Sequence, residues 1–167
     1  MILKTERLII SELTRENAPF FFELVNDPAW IEYIGDKEIN TISDAKDYLE
    51  SKIIPSYELN GFGFYLVSLK KNNSPIGITG LVDRKGLDGI DVGFAFLELY
   101  RGQGFAYEST LALLEFAKQT LGIDPIVAIT DLENSKSIQL LERLGLKFKK
   151  IIQLPDDDKK CRLFISS

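Results

Sequence analysis

The chain has 167 residues, 45% hydrophobic and 27% charged, with a net charge of −5, one cysteine and no histidine. That length fits one domain over 1–167 with a sizeable core, and the acidic balance argues against nucleic acid, which needs a basic stripe. Without histidine there is no Ser-His-Asp triad, Cys-His dyad or His-based metal site, and a lone Cys161 cannot form an internal disulfide. No apolar run is long enough to span a bilayer, and residues 1–7 lack a signal-peptide core, so no membrane association and a cytoplasmic location are expected.

Residues 7–12 (RLIISE) read as a short strand. Thr14 can cap a helix running through residues 18–25, with Pro19 tolerated near its start, and Asn26-Asp27-Pro28 ends it. Trp30, Tyr33 and Ile34 follow in a loop. Thr41 or Ser43 caps a second helix through Ala45, Tyr48 and Leu49, expected to stop before Pro55. Three strands come next, at 62–69, 76–82 and 90–97, joined by short polar or glycine-bearing turns that suit antiparallel hairpins.

After Tyr100-Arg101-Gly102-Gln103-Gly104, apolar residues recur at helical spacing (Leu111, Leu114, Ala117, Leu121) until Gly122. Residues 126–130 form a fully apolar strand, as in a sheet interior. A compact helix carries Ile138, Leu141 and Leu144 on one face, and residues 146–154 and 161–165 read as a closing hairpin. The order β-α-α-β-β-β-α-β-α-β-β predicts a mixed α/β sheet, antiparallel first and then parallel across a helical crossover.

The loop at 101–106 leads from a strand into a helix N-terminus, where free N–H groups and the helix dipole favour an anion and glycine lets it approach the main chain. It reads as a pyrophosphate cradle with one cationic side chain, Arg101; a plain tight turn is the alternative. A Walker loop would need Lys and Ser or Thr after the last glycine, where Phe105-Ala106 stand. A dinucleotide fingerprint would need a small residue at position 107, which is Tyr107.

Arg101, Gly104 and Ala106, at their spacing, resemble the acyl-coenzyme-A loop of the GNAT superfamily of N-acetyltransferases. Thr5-Glu6-Arg7-Leu8, residues 76–81 (IGITGL), Val92-Gly93-Phe94, Asn134-Ser135-Lys136-Ser137 and Leu144-Gly145-Leu146 resemble, in order, segments of its ribosomal-protein-alanine (RimJ/RimL-like) branch. The resemblance implies a GNAT-type acyl-CoA N-acyltransferase fold whose strands at 90–97 and 126–130 splay around acetyl-CoA. It places the pantetheine against main chain at Phe96 and Leu97, the pyrophosphate on Arg101, Gly102, Gln103, Gly104, Phe105 and Ala106, and Asn134 beside a pantetheine amide. It also implies direct acetyl transfer to a primary amine, with no metal.

Ser137 matches a serine used near the sulfur, and equally reads as the third residue of a helix capped by Asn134. Where some relatives carry a tyrosine acid, this helix has Leu140-Leu141. Asp91 stands where some members carry a carboxylate base and equally reads as a solvated strand start; Glu98 and a water relay are further candidates. A backbone N–H near Leu97 is the oxyanion candidate implied by the family. Cys161 reads as packing, and Asp156-Asp157-Asp158 as a solvated turn without calcium-loop spacing. The acceptor wall carries Trp30, Tyr33 and Tyr48 with Glu32, Asp36 and Glu38, which suits a cationic amine or belongs to the core. The expected acceptor is a protein N-terminus of ribosomal-protein type. A polyamine or aminoglycoside, or a non-catalytic acyl-CoA-binding role, are the alternatives, in a monomer or homodimer.

Overall fold

The computed structural model describes residues 2–166, so Met1 and Ser167, the two ends of the expected 1–167 domain, lie outside the described residues. Eight strands form one sheet: β1 (Leu3–Lys4), β2 (Leu8–Glu12), β3 (Phe64–Leu69), β4 (Pro75–Val82), β5 (Ile90–Phe96), β6 (Ile126–Asp131), β7 (Leu146–Gln153) and β8 (Lys160–Ser166). Their spatial order is β1-β2-β3-β4-β5-β6-β8-β7. The pairs are antiparallel except β5 with β6, which run parallel and pair only at Ile90↔Ile126 and Asp91↔Val127. Beyond that register the two strands part. The expected mixed α/β sheet with a splayed central pair is therefore present.

The two faces bury different helices. Helix α5 (Phe105–Gln119) packs Leu113 and Ala117 against Leu8, Ile76 and Val92 on one face, where Leu141 of α6 (Ser135–Arg143) joins them. A buried hydrogen bond between the hydroxyls of Thr79 and Thr110, 2.9 Å long, fixes α5 over β4. On the other face, α1 (Ala18–Val25), α2 (Pro28–Tyr33) and α3 (Ile42–Tyr48) cover Leu66 and Ile78. Gly77 is required by packing, because a Cβ there would run into the Phe96 ring across the sheet.

Two helical expectations change. Trp30 lies on α2, 8% exposed and edge-on to Phe21, so it belongs to the core and not to an open loop. Asp27-Pro28, read as a terminator, also starts α2: the Asp27 side chain accepts from Ala29 N–H, and Pro28 occupies a first-turn position that needs no N–H. The second helix does not stop before Pro55. A π turn (Leu49–Ile53) carries it into α4 (Ile54–Asn60), and this wider turn accommodates a residue with no N–H to donate. The continuation places the Tyr57 hydroxyl between Leu13 N–H, from which it accepts, and Phe64 C=O, to which it donates. Among the described residues no helix is long and apolar enough to cross a membrane.

Candidate active site

The glycine loop sits where β5 hands over to α5. Gly102 and Gly104 take φ of +74° and +84°, and the main-chain N–H groups of residues 102–107 donate to no acceptor among the described residues. This is a row of unmatched donors at the positive end of a long helix, beside the gap between β5 and β6. Arg101 faces away from that row. Its Nε donates to Phe96 C=O at 2.9 Å, its Nη2 meets Asp27 Oδ1 at 2.7 Å, and its N–H goes to Glu98 C=O. The expected cradle cation thus ties the end of β5 to the start of α2.

Thr5 and Arg7 brace the loop instead. Glu108, in the first turn of α5, accepts from Thr5 Oγ1, Arg7 N–H and Arg7 Nε, the last at 2.7 Å. Arg7 also donates to Gln103 C=O at 3.1 Å and covers the Phe105 ring, 4.3 Å from its centroid. No short-range pattern joins positions a hundred residues apart, which is why the pairing was not legible. Partial burial pushes the Glu108 carboxyl up, but the hydrogen bonds from Thr5 and Arg7 outweigh it and its pKa ends below the ordinary value of 4.5. A depressed carboxylate stabilises above its unfolded pKa and loses that contribution as pH falls through the folded one. Glu108→Gln should therefore cost about 1 kcal/mol at pH 7 and much less near pH 4, read from urea midpoints at the two pH values.

At the open edge of β5, Leu97 N–H donates to Ile76 C=O at 3.0 Å, so it is committed to β4 and not free for an oxyanion. Alternation along the strand then turns the N–H groups of Phe94 and Phe96 toward the gap. On the far side, Asn134 caps α6: its Oδ1 accepts from Ser137 N–H at 3.3 Å, and its Nδ2 is uncommitted among the described residues. The Ser137 hydroxyl, half-buried, also makes no hydrogen bond to them. Leu141 is core, 1% exposed, and fills the turn where a tyrosine acid would stand.

Asp91 lies at the fork itself, 3% exposed, so the solvated reading gives way to a buried carboxylate. Its backbone has β4 on one side and β6 on the other, and its side chain points to the face covered by α1–α3. Arg84, in the turn before β5, donates from Nε to Oδ2 at 3.0 Å, while Oδ1 is buried and the Ile129 N–H of β6 also stands beside the carboxylate. Burial drives the carboxyl up to about 6, against the opposing pull of the Arg84 guanidinium. The sequence offered no sign of Arg84, since only the β4–β5 register brings it over Asp91. Glu98 is exposed, on the short turn 98–100 at the other end of β5. Cys161 pairs with Asp131 on β6 and is half-buried. Among the described residues no cluster of His, Cys, Asp or Glu could hold a metal ion.

The Acetyltransferase (GNAT) domain family model matches residues 7–147. An uncharacterized N-acetyltransferase, p20 of Bacillus licheniformis, is 27% identical over 160 residues, covering 94% of this chain and 87% of that protein. Two solved structures share the fold at lower identity. One is RimL, the ribosomal L7/L12 alpha-N-protein acetyltransferase with coenzyme A, at 16% identity and a TM-score of 0.83, covering 98% of this chain and 96% of that one. The other is the Vibrio cholerae spermidine N-acetyltransferase with coenzyme A and spermine, at 15% identity and 0.78, covering 96% and 95%.

Proposed function

This chain belongs to the GNAT acetyltransferase domain family and is an acetyl-CoA-dependent N-acetyltransferase, and we propose that one site at the β5–β6 fork moves the acetyl group directly to a primary amine. The observation that carries this siting is the run of uncommitted N–H groups at residues 102–107, opened by two glycines beside the gap. Those donors fit a diphosphate, and the parting of β5 from β6 leaves main chain free to pair with an extended arm. Asn134 Nδ2 is placed to donate to an amide of that arm.

The residues then divide the work. Asp91 takes the proton from the acceptor ammonium, for which a carboxylate with a pKa near 6 is suited at neutral pH. The freed nitrogen attacks the thioester carbonyl, and the Phe94 N–H, on the free edge of β5, holds the oxygen as it gains charge, which leaves the Phe96 N–H to the extended arm. The carbon–sulfur bond then breaks as the nitrogen sheds its second proton, which passes through the Ser137 hydroxyl to the departing thiolate. Ser137→Ala should lower kcat about tenfold or more with desulfo-coenzyme-A affinity within about twofold. Unchanged turnover removes Ser137 from the mechanism.

Acceptors fall into two classes, a protein N-terminus of ribosomal-protein type first and a small amine second, the classes named for the RimL and spermidine enzymes. Thiol release from acetyl-CoA, followed across peptides and small amines, tests the reading. Tight coenzyme A binding with no release across the panel would instead support a binding-only role.

A further inference from the structure

The turn joining β4 to β5 holds Arg84 in an unusual state. Its Nε is fixed on Asp91, but neither Nη group bonds to any described residue, and its side chain is 37% exposed against 4% for Asp91. A guanidinium carries five N–H donors, so four of this one's are left over on a partly exposed side chain. Directly behind it lies the buried Asp91 carboxylate, with the Ile129 N–H of β6 beside it. A cationic fork with uncommitted donors and a buried carboxylate thus sit side by side, where β5 and β6 part.

The surroundings reinforce the cation. Gly86 packs against Pro155 and Leu154, which seats the turn on the β7–β8 hairpin. Lys37, between α2 and α3, lies near enough that burial first and the Arg84 charge second push its ammonium pKa down, with Asp157 pulling it back. Burial raises the Tyr48 hydroxyl and Arg84 eases it, which places Tyr48 in the same field. Lys37 thus adds a second cation to the field of Arg84, with the Asp157 carboxylate also in reach, in a chain whose net charge is −5.

We infer that Arg84 selects an acceptor whose primary amine carries a carboxylate or phosphate a few bonds away, an amino acid or an acidic peptide end, and rejects polyamines. This rests on the transferase reading above. The ammonium of such a molecule reaches Asp91 while its oxyanion takes both Nη groups in the forked geometry that guanidinium favours. A polyamine's second ammonium would instead meet Arg84 and Lys37.

The test is calorimetric titration of the protein saturated with desulfo-coenzyme A. Alanine is compared with alaninamide, phosphoethanolamine with ethanolamine, a peptide with aspartate second against one with lysine second, and spermidine stands alone. Each anion-bearing amine should bind about tenfold tighter than its counterpart. Arg84→Gln should erase the difference and improve spermidine binding, whereas Arg84→Lys should keep part of it. Preference for the amino acid over the acidic peptide marks a small-molecule source, and the reverse marks a protein end. Spermidine or alaninamide binding as tightly as alanine, or a preference that survives Arg84→Gln, overturns the inference. Thiol release measured in parallel separates the two proposals. Anion preference without release shows that the mouth binds such amines but sinks transfer at the fork, while release without anion preference overturns this inference alone.

Discussion

Asp91→Asn is expected to lower turnover about a hundredfold or more at pH 7.5 while making the protein more stable, an opposition that few other positions should show. The stability sign follows from the raised pKa, about 6 in the folded chain against an ordinary 3.8. Below the lower value both folded and unfolded chains hold the proton, and the native state keeps its full contribution from this group. As pH rises from there through about 6, the unfolded chain releases the proton first, so native stability falls. Above that window the loss levels off on the order of 2–3 kcal/mol, part of which the variant gives back when Arg84 loses its charged partner. The melting temperatures of wild type and variant should therefore converge near pH 4 and separate by several degrees, variant higher, above pH 6.5. Wild-type kcat should climb through an ionisation near 6 that the variant lacks. An active variant with the same pH profile would dismiss Asp91 as the base. Equal melting temperatures across the range would dismiss the buried charge.

Valine at Gly102 and Gly104 together should reduce desulfo-coenzyme-A affinity at least about a hundredfold, with the fold retained. Both positions sit at positive φ, where a β-branched residue is strained by about 1–2 kcal/mol each. Relief of that strain would rotate the N–H groups of residues 102–107 out of their common direction. The two sites differ in kind. A Cβ at Gly102 meets open space, so its cost is conformational alone, whereas one at Gly104 comes 3.3 Å from Arg7 Nη2 and must also displace the loop's brace. Gly102→Ala should accordingly be the milder single change. Helix α5 remains anchored by Leu113, Ala117 and the Thr79–Thr110 bond, so circular dichroism should be unaltered. Equal heats of binding for wild type and the double valine variant would refute the diphosphate assignment.

Some of the site was legible because its signals are local. The glycine pair announces a left-handed turn at a helix start, and Asn134 three residues before Ser137 announces a cap, which α6 forms. Other features were misread because a local signal has two meanings. Asp27-Pro28 can end one helix or begin the next, and here it does both in turn. Pro55 ordinarily stops a helix, yet a π turn ahead of it lets the chain continue.

The succession of strands and helices along the chain, which predicts a mixed sheet, and the glycine loop follow from side-chain periodicity and from backbone freedom at single residues, both properties of neighbours in the chain. Which charges meet was decided by the sheet and its helices. Arg101 turns to Asp27, Arg7 and Thr5 close on Glu108, and Leu97 gives its N–H to Ile76. Asp91 is buried because β6 joins its strand's other edge and then leaves, stripping water from a carboxylate that a strand start would otherwise expose. Desolvation and pairing depend on distance through space, so a linear chain carries the residues for this chemistry while only the folded one sets their charge states.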